Sequence, residues 1–319
     1  MTATAHGLPP AGMEVPSRRD SGVGYMVQAA LWFAVMGLFV KLASRTLPTM
    51  QIVFARGAIT LAIASLVLWK AKLSPFGSRS RLLLLRGLVG SVALICFYAA
   101  VVHLPLAEAT VIHQTAPLFT AVFAAFFLRE RLNARVVWSL LGAFLGVVMI
   151  ARPGWLFGAV ASTPAVASAA VGGDVPTMAA GDAGAWAFAF VALLGAILSA
   201  VAYVTVRRLG RTDSPLVVVF YLPLVTLPVS APFALPVWVW PDASGWAWLL
   251  GIGVSTQVAQ VALTKGLARE AAGRATAVGY LQVAFATLFG ALVFGVWPDG
   301  WSWAGMACIV GSLLVGARR

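Results

Sequence analysis

The sequence predicts an all-α membrane protein: ten transmembrane helices arranged as two inverted five-helix repeats, with the N- and C-termini cytoplasmic. Three observations lead there. Apolar residues make up 61% of the 319 residues and charged residues only 10%, against about 45–50% and 25% in soluble domains. So few charges cannot cover so much apolar surface in water, which excludes soluble enzymes and disordered chains. The chain also contains ten apolar runs, and a helix needs about 20 such residues to cross a bilayer. Finally, the first five runs match the last five at one constant offset.

The runs lie near 24–44, 49–69, 82–102, 107–127, 136–152, 185–206, 215–236, 245–264, 275–296 and 302–317. Each is read as a helix on length and apolarity. Residues 1–21 are polar and rich in Pro and Gly, and are expected to form a disordered cytoplasmic tail. They hold no apolar segment before a small-residue cleavage site, so the first span itself serves as the targeting signal. Residues 22–152 form the first repeat, 153–184 a flexible outer linker and 185–319 the second repeat. Within the linker, 159–184 is rich in Ala, Gly and Ser and lacks Lys and Arg, a composition that stays flexible.

Net charge is +12, which invites a nucleic-acid partner. Placement of the charges argues otherwise. With a cytoplasmic N-terminus, 18 of the 22 basic residues fall on the inner side: Arg18, Arg19, Lys70, Lys72, Arg79, Arg81, Arg86, Arg129, Arg131, Arg135, Arg207, Arg208, Arg211, Lys265, Arg269, Arg274, Arg318 and Arg319. Lys41, Arg45 and Arg152 lie outside and Arg56 lies within a span. This is the positive-inside pattern, so the charge records topology and implies no nucleic acid. Trp238, Trp240, Trp297 and Trp301 near outer span ends fit an interfacial aromatic belt. Cys96 and Cys308 lie within apolar runs and read as buried, inert thiols.

At an offset of 166 residues, Ala30, Ala34, Val35 and Val40 meet Ala196, Ala200, Val201 and Val206. Phe54 meets Phe220, and Ala109, Thr110, Phe119 and Phe123 meet Ala275, Thr276, Phe285 and Phe289. An odd number of spans per repeat forces the two halves into opposite orientations. Inverted halves with a site at their interface are a recurring transporter plan, because one half can rock against the other.

Polar residues in hydrocarbon are costly and tend to mark function. The fourth span carries His113, Gln114 and Thr115 just before Pro117. Proline leaves one backbone carbonyl without its helical partner, and such a carbonyl can line a cavity; a kink with His113 bonded to a neighbouring helix is the alternative. Gln257, Gln260 and Thr264 share one face of the eighth span, and Ser91 and Tyr98 stand at the repeat positions of Gln257 and Thr264. This stripe reads either as cavity lining or as interhelical hydrogen bonding. Trp32, Met36, Tyr203, Tyr280 and Gln282 are further candidates for stacking and polar contact, which would suit an aromatic or purine-bearing solute. Arg56, accompanied by Gln51, either meets a substrate carboxylate or snorkels to the interface. Lys41 snorkels, Glu108 caps the fourth span, and Glu130 reads as a solvated helix exit. Gly142 and Gly146 allow close helix approach, within the chain or in a homodimer.

All ten acidic residues lie in tails, loops or span ends. A midplane carboxylate relay is therefore absent, and proton coupling would fall to His113 or Glu108; otherwise the protein is a facilitator or exchanger. No phosphate-binding loop is present, no metal site or cofactor is implied, and no nucleophile–base pair or metalloprotease motif supports an intramembrane enzyme. A non-transporting scaffold or regulator with a transporter-like fold is the competing class.

The stretch AEATVIHQTAPLFTAVFAAFFLRERLNARVVWSLLGAFLGVVMI from Ala107 resembles an EamA domain of the drug/metabolite transporter superfamily. VFARG around Arg56 resembles that domain's second-span signature, and FYAAVVHLPLAEA its third span and turn. The resemblance extends over nearly all of 24–317 and weakens in the second half, where Val296-Trp297-Pro298 replaces the Glu130-Arg131-Leu132 exit. It implies ten helices, alternating access and movement of small organic solutes such as amino acids or related metabolites across the plasma membrane. The first half looks closest to metabolite carriers of the S-adenosylmethionine type, with aromatic amino acid exporters similar more generally.

Overall fold

A computed structural model describes residues 22–157 and 183–317. The tail 1–21, most of the linker and Arg318–Arg319 lie outside the described residues. Thirteen α-helices are present there and no strand. They are α1 (Gly22–Ala43), α2 (Thr49–Lys70), α3 (Ser80–His103), α4 (Leu106–His113), α5 (Ala116–Phe127), α6 (Ala134–Ala151), the single turn α7 (Gly154–Phe157), α8 (Ala183–Leu209), α9 (Pro215–Ala234), α10 (Ala243–Arg269), α11 (Ala272–Gly279), α12 (Leu281–Phe294) and α13 (Gly300–Ala317).

Among the described residues, nine helical stretches are long and apolar enough to cross a membrane, and Gly300–Gly316 is apolar but shorter. Two of the nine are composite: α4 with α5, and α11 with α12. Helix is the form these runs must take, because hydrocarbon offers no partner for an open backbone. Large apolar side chains cover the outside, among them Leu84, Phe126, Trp138, Phe190, Leu292 and Leu314, as contact with lipid tails requires. Trp240, Trp297 and Trp301 are exposed near helix ends, whereas Trp238 packs edge-on against Phe54.

The repeat is visible in three dimensions. Helices α1 and α10 form one large contact and their repeat mates α8 and α3 form its counterpart; α2 packs on its own mate α9, and α6 on its mate α13. Where a residue touches its own mate, it lies on the pseudo-twofold axis. Tyr280 donates its hydroxyl to the Gln114 carbonyl at 2.9 Å, and Cys308 donates its thiol to the Gly142 carbonyl at 3.2 Å, both 166 residues away. Backbone conformation repeats as well: Arg129 and Gly295, another such pair, are both left-handed, at φ 54° and 69°.

Gly142 and Gly146 serve a contact within the chain. A Cβ added at Gly146 would lie 2.5 Å from the Gly305 carbonyl, and one at Gly305 would lie 2.7 Å from the Gly146 carbonyl. The backbones of α6 and α13 thus meet directly, a seam only small residues permit. Gln51, half of the Arg56 pairing read from sequence, is fully buried and structural: its amide donates to the Val239 carbonyl at 2.6 Å and accepts from the Val239 amide at 2.9 Å. Lys41 lies 4.2 Å from the centre of the Phe294 ring, a cation–π contact at the end of α1.

Outside the membrane-spanning segments, Asp299 caps α13 by accepting from the Ser302 amide at 3.1 Å and pairs with Arg152 at the end of α6. Partial burial opposes its ionisation, but Ser302 and the Arg152 guanidinium outweigh this and hold its carboxyl below the usual range. A depressed carboxylate stabilises the fold above its unfolded pKa of about 4 and loses that contribution as pH falls through its lower folded value. Asp299→Asn is therefore expected to lower the thermal midpoint at pH 7, with the gap from the parent closing below about pH 4. Equal gaps at pH 7 and pH 3 would contradict this. A second expectation concerns the glycine seam. Gly146→Val drives Cβ into the Gly305 backbone, so the thermal midpoint should drop well beyond that of Gly311→Val, at a site with open space.

Candidate functional site

Both composite spans break at the same repeat position. In the first half the helix is interrupted at Gln114–Thr115, with Pro117 in the first turn of α5; in the second it is interrupted at Tyr280. The Tyr280 hydroxyl satisfies the carbonyl of Gln114, and the Thr115 hydroxyl that of Ile112 at 2.6 Å. Discontinuous helices at membrane depth are tolerated where they line a cavity. A cavity of about 200 Å³ lies beside these breaks, walled by α1, α2, α3, α4, α8, α9, α10 and α12.

Eight of the residues singled out from sequence line this cavity: Met36, Arg56, Tyr98, His113, Gln114, Tyr203, Gln260 and Gln282. Gln257 lines a satellite space of about 20 Å³, shared with Arg56 and Gln260. His113 lies 4.4 Å from Phe97, ring centre to ring centre, and its Nδ1 is buried without a hydrogen-bond partner. The structure places four candidates elsewhere. Ser91 is fully buried and bonded to Thr226 at 2.7 Å, joining α3 to α9. Thr264 donates back to the Gln260 carbonyl at 2.8 Å. Tyr280 is fully buried on the axis, and Trp32 is half-buried on α1 outside both cavities.

The residue that sequence reading missed is Arg86. Counting it among inner charges followed from its nearness to the start of a span. The structure instead buries it to 5% exposure on the cavity wall, one turn before Gly90. The signal was present: its repeat mate is Ile252 and that of Arg56 is Leu222, so two arginines break the repeat where apolar residues suffice. Thr110, with an unpartnered hydroxyl, and Ser199 add polar groups. Among the described residues, no Asp or Glu lines the cavity. Among the described residues, no cluster of His, Cys, Asp and Glu suits a metal ion.

The two ends of the cavity differ. At the Glu130 end, α5 packs against α11, with no comparable contact between their counterparts α12 and α4 at the other end. Glu130 is a buried cross-brace here, which corrects its reading as a solvated exit. It accepts from Arg207 Nε at 2.9 Å and from the Ala272 amide at 2.8 Å, with side chains only 13–14% exposed in the ion pair. Arg207 also donates to the Leu267 and Ala268 carbonyls at 3.0 and 2.7 Å, capping the end of α10. Glu108, expected to cap α4, lies in the first turn of that helix with its carboxylate beside the start of α7, 3.5 Å from where a Cβ at Gly154 would stand.

With this geometry in view, the chain can be compared with known proteins. The model of the EamA-like transporter family matches residues 20–152 and 186–317, one match per repeat. The chain is 33% identical to the pseudopaline exporter of Pseudomonas aeruginosa over 91% of this chain and 93% of that one. It is 28% identical to mouse solute carrier family 35 member G1 over 91% and 76%. A solved structure 22% identical superposes with a TM-score of 0.73 over 93% of this chain and 98% of that chain, which establishes the shared fold. The chain belongs to the EamA-like transporter family. It is a multi-pass membrane transporter and not an enzyme.

The cross-brace generates a test. Charge-assisted hydrogen bonds contribute about 1.5–3 kcal/mol each, so Glu130→Gln should favour opening of that end about tenfold or more. Ser199→Cys, placed on the cavity wall in a Cys96→Ala, Cys308→Ala background, should then react faster with an impermeant thiol reagent applied from the Glu130 side. An unchanged rate would show that Glu130 does not hold this end shut.

Proposed function

We propose that this chain is a secondary transporter that carries a small organic metabolite, an amino acid or related compound, across the bacterial plasma membrane by alternating access. Ten membrane helices in two inverted repeats, with both termini in the cytoplasm, provide the moving parts. The basic residues concentrated at one end of the helices support that orientation. The Glu130 end then faces the cytoplasm, and the state described is closed on that side.

One observation carries the reading: a cavity lined by apolar and polar side chains sits where two broken helices meet on the repeat axis, closed at one end by the Glu130 brace, which the other end does not reproduce. Alternating access needs such a site near the midplane, flanked by two closures that do not hold at once. Gln260 and Gln282 offer amides from the second repeat, which donate and accept without charge. Phe33, Phe97, Tyr98 and Tyr203 offer ring faces and edges to the solute's apolar body, in keeping with an aromatic or purine-bearing compound. His113 is the titratable group on the cavity wall available for proton coupling.

The purified chain in proteoliposomes should exchange or accumulate at least one member of a metabolite panel. Gln260→Ala and Gln282→Ala should each cut flux several-fold by weakening solute binding, with protein folding intact. Absence of flux across a broad panel, with folded protein verified, would leave the scaffold reading in its place.

A further inference from the structure

Building on the transport reading, we propose that the solute is an organic oxyanion, a carboxylate or phosphate ester with net negative charge, and that Arg86 is its anchor. Arg86 is an arginine held inside the bundle near the Tyr203 phenol, with no carboxylate partner among the described residues. Its side chain is buried, its Nε makes no hydrogen bond, and it takes part in none of the ion pairs among the described residues. A structural arginine behaves differently, as Arg207 shows in the same protein with one carboxylate and two carbonyls. The space for the Arg86 guanidinium is also provided for: a Cβ at Gly90 would collide with its Nη1. The glycine lets the side chain lie flat along α3, on the cavity wall.

Around it the electrostatics point one way. Arg56, on α2, lines the same cavity, and among the described residues no acidic side chain does. Two fixed positive charges in a confined, partly dry space attract an anion and repel a cation. The remaining polar groups, among them Gln260, Gln282, Thr110, Ser199 and the Tyr98 and Tyr203 hydroxyls, carry no negative charge, and protonation of His113 would only add a positive one. An ammonium group on the solute would therefore find no carboxylate to pair with, which disfavours amines and leaves zwitterions at a disadvantage to anions. A guanidinium presents a planar fork of donors that matches carboxylate and phosphate oxygens bidentately. Both arginines belong to the first repeat, and their mates Leu222 and Ile252 are apolar, so the oxyanion is held against the first half while the amides of the second half meet the rest of the solute.

The test uses purified full-length protein in detergent and thermal shifts with matched pairs: succinate against succinamide, phenylacetate against phenylacetamide, glycerol phosphate against glycerol, and inorganic phosphate alone. At least one oxyanion should bind more than tenfold tighter than its neutral partner. Arg86→Met should abolish that shift, while Arg81→Gln, at the exposed start of α3, should preserve it. Without any ligand, Arg86→Met should raise the thermal midpoint, because it removes an unpaired buried charge; a structural arginine would give a drop. The proposal is overturned by neutral partners binding as well as the acids, by no shift from any oxyanion, by retention of binding in Arg86→Met, or by a lowered ligand-free midpoint. Flux measurements separate the two readings. Transport of neutral solutes that survives Arg86→Met sinks the anion proposal alone, whereas oxyanion binding without flux sinks the transport reading alone.

Discussion

The rest of the fold depends on how two broken helices cross. Within hydrocarbon, an interrupted helix exposes carbonyls that have no water to bond. Here the Tyr280 hydroxyl reaches the Gln114 carbonyl of the opposite repeat, so each break sits beside the other and one satisfies the other. That contact lies on the pseudo-twofold axis, which also runs through the pairings of α6 with α13 and of α2 with α9 and relates the α1–α10 contact to that of α8 with α3. The glycine seam of α6 and α13 follows from the same geometry, because helices that meet their own mates on an axis need small residues where backbones approach.

Much of this was legible in the sequence. The offset of 166 residues is a one-dimensional trace of the axis, and both hydrogen bonds between mates obey it. Pro117 signalled a break, though the interruption falls three residues earlier because proline is readily accommodated in a helix's first turn. Nine of the ten expected spans coincide, among the described residues, with helical stretches long and apolar enough to cross a membrane, and the tenth is apolar but shorter, because apolarity over about 20 residues is a strong signal. Seven of the eight cavity residues are polar groups that stand out against apolar surroundings in the sequence, and Met36 is the eighth.

What was not legible depends on direction. Ser91 and Thr264 share the polar stripe that suggested a lining, yet both point into helix contacts and are satisfied there. Sequence spacing gives the helix face only to within a neighbour or two, and a hydroxyl can turn to its own backbone. Arg86 failed for the opposite reason. The positive-inside rule is statistical at span ends, and a long side chain a few residues into a helix can run out to the interface or in toward the axis with the same spacing. Glu130 looked solvated between two arginines of its own segment, while its real partners, Arg207 and the Ala272 amide, come from the other repeat.

Departures from repeat symmetry hold the functional information. Symmetric halves alone would give two ends of equal strength and a cavity with balanced charge. In this chain, Arg207 has Lys41 as its mate, and the Glu130 position is taken by Val296 in the second repeat. The Glu130 end is consequently closed by an ion pair and three further hydrogen bonds to backbone groups, whereas at the mate position Lys41 lies over the ring of Phe294. A cation–π contact contributes about 0.5–2 kcal/mol, and each charge-assisted hydrogen bond about 1.5–3 kcal/mol. The state described is the one closed at the Glu130 end. To reverse it, a solute must bind the alternative state more tightly by at least that difference, since a ligand shifts an equilibrium only by its differential affinity. Arg86 and Arg56 are a second departure from the repeat, because their mates Ile252 and Leu222 are apolar, and their charge can move that equilibrium only to the extent that a solute meets it differently in the two states.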